Sequence, residues 1–167
     1  MGSSTHRIKF AGLILLMGAV AACSLFGEPA PPRPMPEPMA LPANAALLYW
    51  IVEGEPVVRD EVLTLYSAGE IAYLDRVKQR KGSQFLMPSG VEYFLDTLQK
   101  SGWLGLQPAY RPSSRGRKPQ PTFVTLSARI GGIERTVQWE APACPKELVE
   151  IEAELNQLLA VVRDSAR

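Results

Sequence analysis

Residue types able to do chemistry are scarce in this 167-residue chain, which has one histidine, His6, and two cysteines, Cys23 and Cys144. Carboxylates are the other resource. Asp60-Glu61 and the glutamates Glu147, Glu150 and Glu154 are of a type that serves acid–base work or binds calcium. The three glutamates recur at steps of three and four, which places them on one outward stripe of an amphipathic helix, a solvated face. No EF-hand loop is present. Nor is there a P-loop, a Gly-x-Gly-x-x-Gly or a Ser-x-x-Lys, so phosphate cradling and a Ser-Lys dyad have no support. Cys144 stands just before Pro145 at an expected helix start. There the helix dipole would make the thiol reactive, whereas burial at a strand-to-helix corner would make it inert.

The N-terminus carries an address. Arg7 and Lys9 precede an apolar run from Phe10 to Ala22, and Val20-Ala21-Ala22-Cys23 ends it, the three-part layout of a secretory signal. The run is too short for a membrane span, which needs roughly 18 apolar residues. Val20-Ala21-Ala22-Cys23 resembles the lipobox of bacterial lipoproteins. That resemblance implies cleavage before Cys23 and a covalent lipid on Cys23, and the residue inventory leads to no other cofactor being expected. Ser24 in the next position implies outer-membrane sorting in a Gram-negative bacterium, with the periplasmic side favoured. Removing residues 1–22 takes away Arg7, Lys9 and no acid, so 18 basic residues fall to 16 against 17 acidic ones, a formal charge of −1. It also takes away His6. Ser-His-Asp and Cys-His catalysis are thereby excluded, as is zinc held by histidine or several cysteines, and no metal is expected.

Residues 23–44 form a tether after that signal. Prolines stand at 29, 31, 32, 34, 36, 38 and 42, a density that removes backbone donors and forbids helix or central strand. An extended polyproline conformation at about 3.1 Å per residue would give a reach of up to roughly 60 Å. Pro31-Pro32-Arg33-Pro34 also fits a ligand for a proline-binding module.

The remaining 45–167 are expected to be one domain, large enough to bury about two-thirds of its unfolded surface. Ala46–Val52 is apolar on both alternating faces, as in a strand covered on two sides, although a short helix has the same length. Glu61–Tyr66 and Ile71–Val77 form a hairpin around Ser67-Ala68-Gly69-Glu70. Ser89 and Glu92 have the spacing of a capping box, and Val91, Phe94, Leu95 and Leu98 share one helical face, ended by Gly102. Residues 108–121 read as a loop, with four prolines and Arg111, Arg115, Arg117 and Lys118. Thr122–Ile130 and Ile133–Glu140 flank Gly131-Gly132, the clearest hairpin, with one apolar and one polar face. Pro145 opens a last helix with a seam of Leu148, Ile151, Leu155, Leu158, Leu159 and Val162.

These elements predict an α+β domain, with a mainly antiparallel sheet of four to five strands and two helices on one face. Their order from Leu63 to Leu159 resembles small metalloprotease inhibitors of the emfourin type, which implies protease inhibition as the alternative function. The turn reads Ser67-Ala68-Gly69-Glu70 where that family has Ser-Gly-Gly, and no inhibitory residues carry over.

Composition bounds the partners. With 46% hydrophobic and 21% charged residues, disorder and collagen are excluded, and a net charge of +1 argues against nucleic acid. Two basic groups remain, Arg76, Lys78, Arg80 and Lys81 after the first hairpin, and Arg111, Arg115, Arg117 and Lys118 in the loop. Converging, they would form a contact for an anionic envelope component or an acidic envelope protein, since guanidinium forks suit phosphate and carboxylate. The expected function is therefore non-enzymatic: a binding or accessory module held at the membrane by its lipid.

Overall fold

A computed structural model describes residues 32–113 and 119–166. The signal segment, the lipobox with Cys23 and the loop residues Arg115, Arg117 and Lys118 lie outside the described residues. The compact unit described below is Pro34–Arg167.

The domain is α+β, as its patterning predicts. Seven strands occur: β1 (Ala45–Glu53), β2 (Arg59–Tyr66), β3 (Glu70–Asp75), β4 (Arg80–Phe85), β5 (Ala109–Tyr110), β6 (Thr122–Ile130) and β7 (Ile133–Glu140). Helix α1 (Pro88–Lys100) separates β4 from β5, and α2 (Val149–Ser165) closes the chain. The sheet order is β4-β3-β2-β1-β6-β7-β5, with every pair antiparallel except β5 and β7. The expected four to five antiparallel strands are thus exceeded by two, β4 and the two-residue parallel β5.

Alternation decides which residues meet the helices. Leu47, Tyr49 and Ile51 of β1, Leu63 and Leu65 of β2, and Val124, Leu126 and Ala128 of β6 share one core with Phe94 and Leu98 of α1 and Ile151, Leu155, Leu159 and Val162 of α2. Both helices therefore cover the same face, and β1 is a strand, not a helix. The opposite face follows its patterning, polar on β6 and β7, where Ser127 meets Thr136 and Thr125 meets Gln138, and apolar on β1, expected to be covered on both sides. Leu48, Trp50 and Val62 form a second apolar cluster there with Ala45 and Leu41, and Met39 packs against it.

That second cluster explains where the proline-rich segment goes. Proline lacks a donor, but its carbonyl still accepts, and Gln138 Nε2 donates to Pro36 O at 3.0 Å. Arg129 Nη1 donates to Ala43 O at 2.6 Å. Residues 36–44, expected as part of the tether, therefore lie along the sheet, with Leu41 buried between them.

Turn chemistry carries the hairpins. Gly131 and Gly132 have φ of 58° and 81°, both left-handed as the two-residue loop requires. Gly69, in the turn before β3, has φ of 96°, and a Cβ there would stand 2.2 Å from Leu86 O. Gly69→Ala is expected to lower unfolding stability by about 3 kcal/mol, combining left-handed strain with a backbone clash. Gly102→Ala is the control, because φ of 81° recurs there with nothing within 4 Å, and about 1–2 kcal/mol is expected. Urea unfolding of the two variants measures the difference.

Helix starts depart from their sequence signals. α1 begins at Pro88 with Met87 as its N-cap and no side-chain cap hydrogen bond, so Ser89 and Glu92 do not form a capping box. Proline at the first helical position needs no partner for an amide it lacks, and that preference sets the start. Pro145 precedes a 3-10 turn (Lys146–Leu148), and α2 proper starts at Val149.

Candidate functional site

β4 is a poor strand by composition, Arg-Lys-Gly-Ser-Gln-Phe, and its neighbours impose its conformation. The turn that delivers it is tied by Asp75, whose carboxylate accepts from Lys78 N at 2.8 Å, while Gln79 takes the left-handed φ of 56°. The end of α2 then grips one face of the strand. Arg80 Nη2 donates to Ala166 O at 2.5 Å, and Gln84 Nε2 donates to Ser165 Oγ at 3.1 Å. Gly82 is required beneath that helix end, since a Cβ would meet the Ala166 methyl at 2.9 Å.

Among the described residues the outer edge of β4 stays open. Leu86 N donates to Gly69 O at 2.7 Å, one step beyond the Glu70–Phe85 pair of the ladder. Hydrogen-bonded pairs alternate along antiparallel strands, so the pairs at Gln84, Gly82 and Arg80 also face β3. Lys81, Ser83 and Phe85 consequently turn their N–H and C=O groups away from the sheet. All three residues are exposed, and an open groove of about 450 Å³ runs beside them, lined by Lys81, Gly82, Ser83 and Ser165. Phe85 is 70% exposed and Met87 72%. An edge of this kind is a template for strand addition. Sequence reasoning missed it because an open edge follows from strand order, which no local pattern in Arg80–Phe85 encodes.

The expected basic contact residues fall in separate places. Arg76 and Arg80 flank the β3–β4 turn, whereas Arg111 follows β5, at the other extreme of the strand order. Seven strands spaced ~4.8 Å span about 25–30 Å, so these two groups do not converge through their described members. Each is also engaged within the domain. Arg76 Nε is 3.6 Å from Asp60, and Arg111 Nη1 is 3.9 Å from the fully buried Glu140. Lys78 and Lys81 stand with Arg76 and Arg80 at the start of the open edge.

The paired carboxylates do not act as a pair. Consecutive residues of a strand point to opposite faces. Asp60 accepts from Trp50 Nε1 at 2.7 Å on the second face, while Glu61 lies beneath the helices. Glu61 is 2% exposed, accepting from Tyr73 Oη at 2.6 Å and Arg59 Nε at 2.5 Å, with Arg163 Nη1 of α2 3.6 Å away. Burial by itself would raise its pKa, but the hydrogen bonds from Tyr73 and Arg59 and the charges of Arg59 and Arg163 outweigh it and hold the carboxyl below its usual range. A buried carboxylate stabilised in this way is a structural pin between β2, β3 and α2 and a poor general base.

Cys144 is half-buried, with its thiol directed at Pro145 O. Burial pushes the thiol pKa up, and Glu152 and Glu147 push it further in the same direction. The inert reading of this residue therefore fits the geometry, and the 3-10 turn keeps it away from the start of α2. Ellman's reagent at pH 8 is expected to modify the native protein at least tenfold more slowly than the urea-unfolded chain, because the thiolate is the reacting species. Glu147 and Glu150 are exposed, whereas Glu154 is half-buried and accepts from Tyr93 Oη at 3.0 Å, so the expected solvated stripe holds in part.

Among the described residues no group of three or more His, Cys, Asp and Glu side chains could hold a metal ion, and no helix is long and apolar enough to cross a membrane. No family model, curated protein or solved structure matches the chain.

Proposed function

We propose that this chain is an outer-membrane lipoprotein whose anchored domain is a non-enzymatic binding module, making its contact along the open edge of β4. The lipobox Val20-Ala21-Ala22-Cys23 supports the anchor, with the lipid on Cys23 as the sole covalent group, and Ser24 in the next position supports sorting to the outer membrane. The single structural observation that carries the binding role is the outward backbone of Lys81, Ser83 and Phe85. An envelope component that adds an extended segment to this edge is the partner the geometry supports best. Because residues 36–44 lie on the sheet, they add nothing to the reach of the tether.

Ser83→Pro tests the contact. Its amide points away from β3, so proline removes an outward donor without breaking the internal ladder. In native membranes, formaldehyde-linked complexes of the full chain are expected to disappear, with the circular dichroism spectrum unchanged. Complexes that persist undiminished would overturn the reading. The alternative, a protease inhibitor of the emfourin type, draws on the observed order of hairpin, helix, hairpin and helix. It requires that the domain slow a thermolysin-like protease at stoichiometric concentration.

A further inference from the structure

We infer that the partner at this edge is a second copy of the same chain, joined β4 to β4 across a two-fold axis at Ser83. The inference rests on the binding role proposed above and identifies its occupant. Each copy offers the N–H and C=O of Lys81, Ser83 and Phe85, and an antiparallel pairing of Ser83 with the partner's Ser83 matches every one of them. In that register Lys81 lies opposite the partner's Phe85, and the partner's Lys81 opposite Phe85. Like charges directly opposite one another destabilise a strand pair, and this register contains none. The lysine stem instead covers an aromatic ring that is 70% exposed in the single copy. Gly82 and Ser83, both small, occupy the centre, with the end of α2 over Gly82 in each copy.

Anchoring geometry favours the same occupant. A two-fold axis through a hydrogen-bonded antiparallel pair stands perpendicular to the sheet, so both copies present their helices on one side and residues 36–44 on the other. Both copies then present residues 36–44 on the same side, which suits two chains anchored in one membrane. An edge contact of this size falls in the weak class of interfaces, and confinement to a shared membrane raises the effective concentration that drives it. The pairing also satisfies the isologous rule that residue i meets residue j and j meets i.

Cysteine pairing in the full-length chain carrying Cys144→Ser reads the register directly. Directly opposed residues of a hydrogen-bonded pair have Cα atoms about 5.5 Å apart, within disulfide range, whereas the two Lys81 positions would be about 14–15 Å apart. Under mild oxidation of native membranes, Ser83→Cys is expected to give at least tenfold more disulfide-linked dimer than Lys81→Cys, and Lys81→Cys/Phe85→Cys is expected to link as well. No linkage above the Cys144→Ser parent, or equal linkage from Ser83→Cys and Lys81→Cys, overturns the inference. Complexes with a different protein that are lost in Ser83→Pro, alongside unlinked Ser83→Cys, would sink the second copy and leave the binding role standing. Ser83→Pro without effect together with unlinked Ser83→Cys would remove both. Urea midpoints of the variants, expected to match the parent, separate a lost contact from a lost fold.

Discussion

Trp139→Ala is expected to lower unfolding stability by about 3–5 kcal/mol, the range for truncating a fully buried tryptophan. The indole is 1% exposed on β7, where it pairs across to Val124 of β6 and Tyr110 of β5. Its Nε1 donates to Glu152 Oε1 of α2 at 3.3 Å, so one side chain joins three strands to the closing helix. Truncation opens a cavity under α2 and leaves Glu152 facing it without its donor. Domains of this size have a total stability of about 5–15 kcal/mol, so the variant forfeits a third or more of it. Trp139→Phe separates the two contributions, since it keeps most of the buried area and loses the hydrogen bond, for about 1 kcal/mol. Urea unfolding of both variants checks the prediction, and a loss under 1.5 kcal/mol for alanine would contradict this view of the core.

Glu61→Ala comes next, with an expected loss of about 3 kcal/mol, the lower end for a broken buried ion pair. The lower end applies because Arg59 and Arg163 are 31% and 39% exposed, and water takes over part of their solvation. Tyr73 fares worse, because its hydroxyl is buried and loses its acceptor. The pH dependence has a defined sign. A carboxylate whose pKa is lower folded than unfolded stabilises the fold above its unfolded value, ordinarily about 4.3, and that contribution fades as pH falls through the folded value. Wild-type stability should therefore drop on acidification below about pH 4.5. Glu61→Gln should be less stable at pH 7 and should lose this part of the acid limb. Equal acid limbs in wild type and Glu61→Gln, measured by urea unfolding from pH 7 to 3, would contradict the account of the pin.

The parts of this fold legible in the sequence are those whose information is local. Gly131-Gly132 between two alternating strands specifies a hairpin without help from the rest of the chain, and the seam from Leu148 to Val162 specifies a helix face. β4 carries no such pattern. Arg80–Phe85 contains one apolar side chain, and its strand state comes from pairing with β3 and from the hold of α2 on Arg80, Gly82 and Gln84. The landing of residues 36–44 was hidden for a related reason. Proline density forbids donors, and the carbonyls that bind Gln138 and Arg129 belong to residues whose types announce nothing about acceptance. Met39 and Leu41 were the available signal, two apolar side chains in a segment otherwise suited to solvent.

The basic groups show the same limit at the level of function. Charge counts identify Arg76, Arg80 and Arg111, but only strand order reveals that they stand on opposite edges. Arg111 neutralises the buried Glu140, a role that its loop-like surroundings conceal.

The lipid anchor is the proposal on which the compartment, and the shared membrane proposed to bring two copies together, depend. Mass determination of the N-terminal peptide from the full chain expressed in a Gram-negative host tests it most directly. The account predicts a peptide beginning at Cys23 whose mass exceeds that of the bare residues by its attached acyl chains. A chain beginning at Met1, or a Cys23 recovered without lipid, would contradict it.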